Sequence, residues 1–181
     1  MIESVNNKIL VSVEQDQKDF IVIAGNEFRM ANIYETNYRI KSPVIATVVQ
    51  GNDYVRENDI LLCHHNLFYL PSPYHIEKDL FSIPFSKVLF AKILEDGSLL
   101  PICGNILGER IDISAPFLLP SYQVIKYNDR LFITHPGFTK YKKGQTIFSR
   151  PSACYDIVYH SNKEQKSITK ISDDMICGIL L

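Results

Sequence analysis

Short apolar runs, separated by turn residues, make up most of the chain, and they have the length and composition of β-strands. They are rich in β-branched, aliphatic and aromatic residues, and they cover residues 8–13, 20–24, 43–49, 59–63, 87–93, 130–134, 145–148, 155–159 and 174–181. No stretch of a dozen residues keeps apolar side chains at the i, i+3, i+4, i+7 spacing of an amphipathic helix without interruption. The pattern predicts an all-β protein, either a barrel or a sandwich.

Two parts of the chain, beginning at Val55 and at Tyr141, follow the same order of segments. Each begins with a polar turn, an apolar strand and a loop with Ser, Pro and aromatic residues. A charged turn, a strand, a short polar step and a last strand of small and aliphatic residues follow. In this alignment Asp59 corresponds to Gln145 and Ile93 to Leu180, an offset of 86–87 residues. The agreement predicts an internal duplication, with two small domains that cover residues 1–95 and 96–181.

Each half resembles the GroES family of co-chaperonins, whose subunits are small, partly open β-barrels. The family has a Lys/Val-x-Gly-Asp-x-Val-Ile-Phe strand, which residues 143–148 (KGQTIF) match, and a Ser-Asp-Ile-Leu-Ala-Ile ending, which residues 172–179 (SDDMICGI) match. The counterparts in the first half are residues 58–62 and 86–93. The resemblance implies two tandem GroES-like barrels and a lid protein that assists ATP-dependent folding by a GroEL-type chaperonin. The partner would hydrolyse the ATP, and the chain would need no cofactor of its own.

The family docks on its chaperonin through a mobile loop with an apolar triplet at its tip. The corresponding interval here, residues 14–39, contains Ile21, Val22 and Ile23 between polar flanks. The resemblance implies that this triplet is the chaperonin-binding site, while the pattern alone also allows an ordinary barrel strand.

The second half has a shorter interval at the corresponding place, residues 113–123. It contains the apolar triplet Phe117, Leu118 and Leu119, followed by a proline. This triplet is either a second docking loop or the edge of a strand, and both interpretations stay open.

Two departures from the family support a different hypothesis. Neither half has the roof hairpin that usually precedes the Gly-Asp strand, a feature that the phage T4 co-chaperonin also lacks, and Asn58 replaces the glycine of that motif in the first half. The alternative is a structural or assembly protein, for example of a phage, that has the GroES fold without chaperonin activity. A lid needs a mobile segment at 14–39, whereas an assembly protein could use that segment as a fixed strand.

Cys63, His64 and His65 end an apolar run, and all three residue types can bind transition metals. The second half has Ser-Arg-Pro at the corresponding positions 149–151. Neighbouring residues of a strand also point to opposite faces, so Cys63 and His64 are not expected to share a metal ion. We therefore interpret the stretch as the exit of a buried strand, with no metal site; a metal-binding module is the third and weakest hypothesis.

Composition narrows the class of protein further. The formal net charge is −1 and the basic residues are scattered, so we expect no nucleic-acid partner. The sequence shows no secretion signal and no apolar run of the ~20 residues that span a membrane, so we expect no membrane association. The four cysteines are widely spaced, which predicts reduced thiols. Together these features predict a cytoplasmic location, which is the host cytoplasm for a phage protein. Nucleotide-binding glycine motifs, a nucleophile elbow and paired carboxylates are also lacking, so an enzyme is not expected.

The apolar C-terminal run 174–181 carries one further expectation. An unpaired apolar edge strand invites aggregation, so we expect this run to be covered. The cover would come either from residues 8–13 of another subunit, as in a homo-oligomeric ring, or from a strand of the same chain.

Overall fold

A computed structural model of the chain describes residues 7–13, 20–29, 43–68, 71–86, 88–111, 129–150, 153–161 and 164–180. Within these ranges it contains strands and two short 3₁₀ turns, at His65–Leu67 and Asp173–Met175, and no α-helix. The prediction of an all-β protein is confirmed, and each run predicted as a strand contains one. No helix in these ranges is long and apolar enough to span a bilayer.

The strands are β1 (Lys8–Ser12), β2 (Phe20–Ile23), β3 (Asn26–Arg29), β4 (Val44–Gln50), β5 (Ile60–Cys63), β6 (His75–Glu77), β7 (Leu80–Pro84), β8 (Leu89–Ile93), β9 (Leu99–Pro101), β10 (Asn105–Arg110), β11 (Asp129–His135), β12 (Thr146–Ser149), β13 (Tyr155–Ser161), β14 (Glu164–Ser172) and β15 (Ile176–Leu180). They form two antiparallel sheets. The first sheet has the order β6-β7-β1-β4-β5-β8-β9, and the second has the order β15-β12-β11-β10-β14-β13-β3-β2. Neither sheet is closed, in agreement with the expectation of partly open barrels.

One arrangement of six strands occurs twice. The order β6-β7-β1-β4-β5-β8 of the first sheet recurs as β13-β14-β10-β11-β12-β15 in the second, and we call these two sets repeat one and repeat two. The pairing of β5 with β8 has a bulge just before the pair Cys63 and Leu89, and the pairing of β12 with β15 has one just before Ser149 and Ile176. The strand pairs are thus related by the offset of 86–87 residues that the sequence alignment predicts.

Finer details also recur. A bulge between Leu10 and Val11 in the pairing of β1 with β4 corresponds to a bulge between Leu107 and Gly108 in the pairing of β10 with β11. The turn before β5 places Asn58 at a φ of 68°, and the turn before β12 places Gly144 at 89°. Asparagine is one of the few residues with a side chain that enters this left-handed region readily, so the missing glycine of repeat one leaves the turn unchanged.

Each sheet also has strands outside the repeat. β9 extends the first sheet beyond β8, and the hairpin of β2 and β3 extends the second sheet beyond β13. Residues 20–29 therefore belong to the first half of the sequence but to the sheet that repeat two forms. The sequence pattern did not predict this crossing, and the domain boundary at 95/96 stays a prediction.

Three groups of buried apolar side chains form the core. One lies within the first sheet, around Phe68 and Phe81. Another lies within the second sheet, around Leu131 and Ile147. The third, which we call the junction core, combines residues of both sheets: Ile45, Leu62, Phe90, Ala91, Ile93 and Leu99 from the first, with Leu107, Ile157 and Ile168 from the second. The junction core joins the two sheets because it removes apolar surface of both from water.

The C-terminal strand β15 has a partner in its own chain. It pairs antiparallel with β12 from Leu180 to Ile176, so the intramolecular alternative for its cover is confirmed. β15 is nevertheless the last strand of its sheet, and Leu180 is 58% exposed. Pairing with residues 8–13 of another subunit stays a prediction.

Candidate docking site

The triplet Ile21, Val22 and Ile23 lies in β2, the outermost strand of the second sheet. A two-residue turn, Ala24 and Gly25, joins β2 to β3, and both turn residues have positive φ (48° and 80°). Such a turn matches the twist of the flanking strands, which explains why a tight hairpin forms here. Residues 20–29 are therefore a β-hairpin, whose first strand the strand interpretation predicts and whose second strand it does not.

The hairpin is attached to the rest of the protein on one side. β3 pairs with β13, with Phe28 opposite Tyr159 and Asn26 opposite Ser161, and β2 pairs with β3 on its other side. The remaining residues of the predicted loop interval, 14–19 and 30–39, lie outside the described residues. The described part of the interval is a strand that is paired on one side, the conformation that the strand interpretation predicts.

The side chains of the triplet have different surroundings. Val22 is 65% exposed, whereas Ile23 is half-buried and packs against the junction core. The side chain of Ile21 lies outside the described residues. This alternation is typical of a strand that covers a core with one face and presents the other to solvent. Because β2 ends its sheet, it also presents backbone N–H and C=O groups that no strand of the described sheet pairs.

The second candidate triplet, Phe117, Leu118 and Leu119, lies outside the described residues. Its two interpretations therefore stay open.

Cys63, His64 and His65 lie where a strand ends, as predicted. Cys63 is the last residue of β5 and is fully buried in the core of the first sheet, and burial raises the pKa of its thiol well above the usual range. His64 precedes the 3₁₀ turn, and its Nδ1 accepts a hydrogen bond from the backbone N–H of Asn66 (3.2 Å). The Cys63 side chain lies in the core of the first sheet, whereas the ring of His64 contacts Tyr155 of the second sheet. In the described parts of the chain, no group of three His, Cys, Asp or Glu residues could bind a metal ion together.

The structure brings His64 into a cluster that the sequence did not indicate. Its ring lies 4.7 Å from the ring of His65, 5.8 Å from Phe90 and 5.3 Å from Tyr155 (centroid distances), and the ammonium of Lys170 lies 5.0 Å from the centre of the Phe90 ring. We call these five residues the histidine cluster. His64, His65 and Phe90 follow or belong to strands of the first sheet, while Tyr155 and Lys170 face each other on β13 and β14 of the second. The cluster therefore bridges the two sheets, and it shares Phe90 with the junction core.

A chain of hydrogen bonds continues from this cluster. The ammonium of the buried Lys170 donates to Ser172 Oγ (3.0 Å), and the Ser172 hydroxyl donates to Asn105 Oδ1 (3.1 Å). The Asn105 amide donates in turn to the backbone carbonyl of Leu89 on β8 (2.7 Å). Polar groups of the second sheet thus bind the backbone of the first, which fixes how the sheets meet.

Comparisons with known proteins give no relative to which this chain can be assigned. No family model, no curated protein and no solved structure matches it.

Proposed function

We propose that this protein is a protein-docking module, without enzymatic activity, that binds its partner through the outer edge of β2, which no strand of the described residues covers. One observation carries the proposal: an apolar side chain, Val22, is 65% exposed on the outermost strand of a sheet. Natural proteins usually protect such edges with charged residues, proline or a covering segment, because an open edge can pair with another chain. An edge that is exposed and apolar is suited to accept a strand from a partner.

The fixed position of the hairpin favours assembly over a mobile lid. Pairing along β2 would supply backbone hydrogen bonds, and burial of Val22 would contribute about 1.5–3 kcal/mol. A strand that is already held by β3 and by the contact of Ile23 loses little conformational freedom on binding, so less of this energy is spent on ordering. The partner would be a copy of this chain or another component of an assembly, such as a phage particle.

A co-chaperonin function is the second candidate, and the repeated fold favours it. The resemblance to the GroES family occurs in both repeats, and it implies a homo-oligomeric ring that docks on a GroEL-type chaperonin in the cytoplasm of the cell or of the phage host. A ring of weak apolar contacts binds tightly through effective concentration and separates once the partner moves its grooves. ATP would be hydrolysed by the chaperonin, with no cofactor in the lid.

The change Val22→Ser tests both candidates. We expect a melting temperature close to that of the wild type, because the side chain makes little contact with the core, together with loss of partner binding. Val49→Ser is a matched control, since Val49 is also a valine exposed on a strand (43%) and belongs to the first sheet. Replacing Ile21, Val22 and Ile23 together by serine extends the test to the whole triplet, and its melting curve reports how much of the triplet supports the fold.

Two measurements distinguish the candidates. Sedimentation velocity of the protein alone reports self-assembly, and co-sedimentation with a purified chaperonin, with and without ATP, reports lid function. Binding that depends on nucleotide and is lost in Val22→Ser supports the co-chaperonin. Self-assembly that is lost in the same variant supports the assembly protein. If the wild type self-assembles or binds the chaperonin and the variant does so equally well, β2 is not the contact for that partner.

A further inference from the structure

The histidine cluster has an arrangement that responds to protonation. His64 follows a strand of the first sheet and contacts the second sheet, so any change in its charge acts at the contact between the sheets. In the described part of the chain, the hydroxyl of Tyr155 and Nδ1 of His65 are buried without a hydrogen-bond partner. The contacts of His64 with Phe90 and Tyr155 are ring contacts, and ring packing does not compensate a new buried charge as a paired carboxylate would.

Within the described residues, four groups on four elements face His64. The turn that follows His64 contributes the imidazole of His65, and β8 contributes the uncharged ring of Phe90. In the second sheet, β13 contributes the phenol of Tyr155 and β14 contributes the ammonium of Lys170. The charges that these groups can carry next to His64 at neutral or acidic pH are therefore positive.

The nearest carboxylate in sequence to Tyr155 does not offset these charges. Asp156 points to the other face of β13, where it accepts a hydrogen bond from Thr169 (2.8 Å) and forms an ion pair with Arg110 (3.1 Å). The negative charge of Asp156 therefore lies on the opposite side of the sheet from the histidines, where Arg110 pairs with it.

The lowered pKa values of the two histidines decide how the stability of the contact between the sheets depends on pH. Burial, together with the smaller contributions of the positive charges on His65 and Lys170, lowers the pKa of His64 from its ordinary value of 6.5 to about 4. Burial also lowers the pKa of His65. The unfolded or opened state therefore takes up protons first as the pH falls below 6.5, so the stability of the contact decreases between about pH 6.5 and pH 4 and is fully present above that range.

We propose that the histidine cluster is an acid-sensitive latch between the two sheets, in which protonation of His64 and His65 beside Lys170 loosens the packing of β13 and β14 on the first sheet. The junction core lies next to the latch and also holds Ile23 of the β2–β3 hairpin, so loosening reaches the hairpin. The latch operates whether or not β2 binds a partner.

Titration of the individual histidines by NMR tests the first step. In the wild type we expect His64 to remain neutral at pH 5.5, and in Lys170→Met we expect its pKa to move towards 6.5, because methionine keeps the apolar stem and removes the charge. A wild-type His64 that titrates at or above 6.5 would overturn the proposal, since it would show that attraction of the imidazolium to the surrounding rings prevails.

Hydrogen exchange of the β13 and β14 amides tests the second step. After correction for the intrinsic rates, we expect exchange in the wild type to be about tenfold faster at pH 5 than at pH 7.5. His64→Asn should remove most of this difference, because asparagine does not titrate and can still accept the hydrogen bond from the turn that follows.

The control variant is His135→Asn. Burial and Lys143 also lower the pKa of His135, so this histidine contributes acid sensitivity of the same sign away from the cluster. Its replacement should leave the acid-dependent exchange of β13 and β14 in place. Equal acid dependence in wild type and His64→Asn, or loss of that dependence in His135→Asn alone, would contradict the latch.

Discussion

The two repeats form the same arrangement of strands from different side chains, and their comparison shows what the arrangement requires. The turn before β5 and the turn before β12 have the same hydrogen bond: Asp59 Oδ2 accepts from the backbone N–H of Arg56, and Gln145 Oε1 accepts from that of Lys142, both at 2.8 Å. A carboxylate and an amide are interchangeable there because each offers an oxygen acceptor. The backbone geometry is repeated, and the residue types are not.

The surfaces of the repeats differ more than their backbones. Asp59 also forms an ion pair with Lys92 (2.7 Å), whereas the corresponding residues of repeat two are Gln145 and Ile179. Ile179 is 39% exposed. Repeat one thus has an ion pair where repeat two has an apolar surface, so the two repeats are suited to different neighbours.

The added strands explain the largest difference. Ile93 on β8 is 4% exposed because β9 covers that edge and the junction core lies beneath it, whereas its counterpart Leu180 on β15 is 58% exposed. Equivalent positions in two copies of one fold therefore contribute unequally to stability, according to what lies next to them.

The largest expected effect concerns the bulge that both repeats share. Repeat one has Val11 there and repeat two has Gly108, and a Cβ on Gly108 would lie 2.8 Å from Cγ of Leu131 and even closer to the backbone carbonyl of Phe132. We expect Gly108→Ala to lower the free energy of unfolding by about 3 kcal/mol, because β11 must shift. Gly178→Ala is the control, since a Cβ there meets only Phe148 at 3.8 Å. Urea unfolding of both variants gives the comparison, and equal stabilities would mean that β10 and β11 are not packed this closely.

A second comparison uses Ile93 and Leu180. Ile93→Ala should cost about 3 kcal/mol, because it leaves a cavity in the junction core, whereas Leu180→Ala should cost less than about 1 kcal/mol in the isolated chain. Thermal unfolding at low protein concentration measures both. If Leu180→Ala proves as costly as Ile93→Ala, β15 is covered in solution by a second molecule, and the cost should then increase with protein concentration.

The smallest effect concerns the shared left-handed turn position. Asn58→Gly should stabilise the protein by up to about 0.5 kcal/mol or leave it unchanged, and Gly144→Ala should destabilise it by about 1 kcal/mol, because alanine has a Cβ and no side-chain hydrogen bond to compensate. Space does not limit either change, since a Cβ on Gly144 meets no atom within 4 Å. Denaturant midpoints measure both changes, and a lower midpoint for Asn58→Gly together with a higher one for Gly144→Ala would contradict the equivalence of the turns.

Much of this fold follows from local sequence patterns. β-branched and aromatic runs predicted nine strands because such side chains suit a half-buried pleated surface, and equal spacing of segments predicted the repeat. The period of two along a strand also placed Cys63 and His64 on opposite faces. Among the strands that the pattern did not predict, β3 is polar, β9 contains Pro101 and β10 contains Gly108. Such residues weaken the local preference for a strand, so the strand conformation of these segments depends on the strands next to them.

The sequence alone determined the all-β class and the repeated order of segments, because each of these depends on residues that are close together in the chain. Only the tertiary structure placed the hairpin of residues 20–29 beside β13 and brought His64 to Tyr155 and Lys170. Those contacts join residues about 90 to 130 positions apart, and many strands of similar composition could pair equally well at such separations. What selects among them is the simultaneous burial of both sheets' apolar faces in one junction core, a property of the whole chain that no local pattern contains.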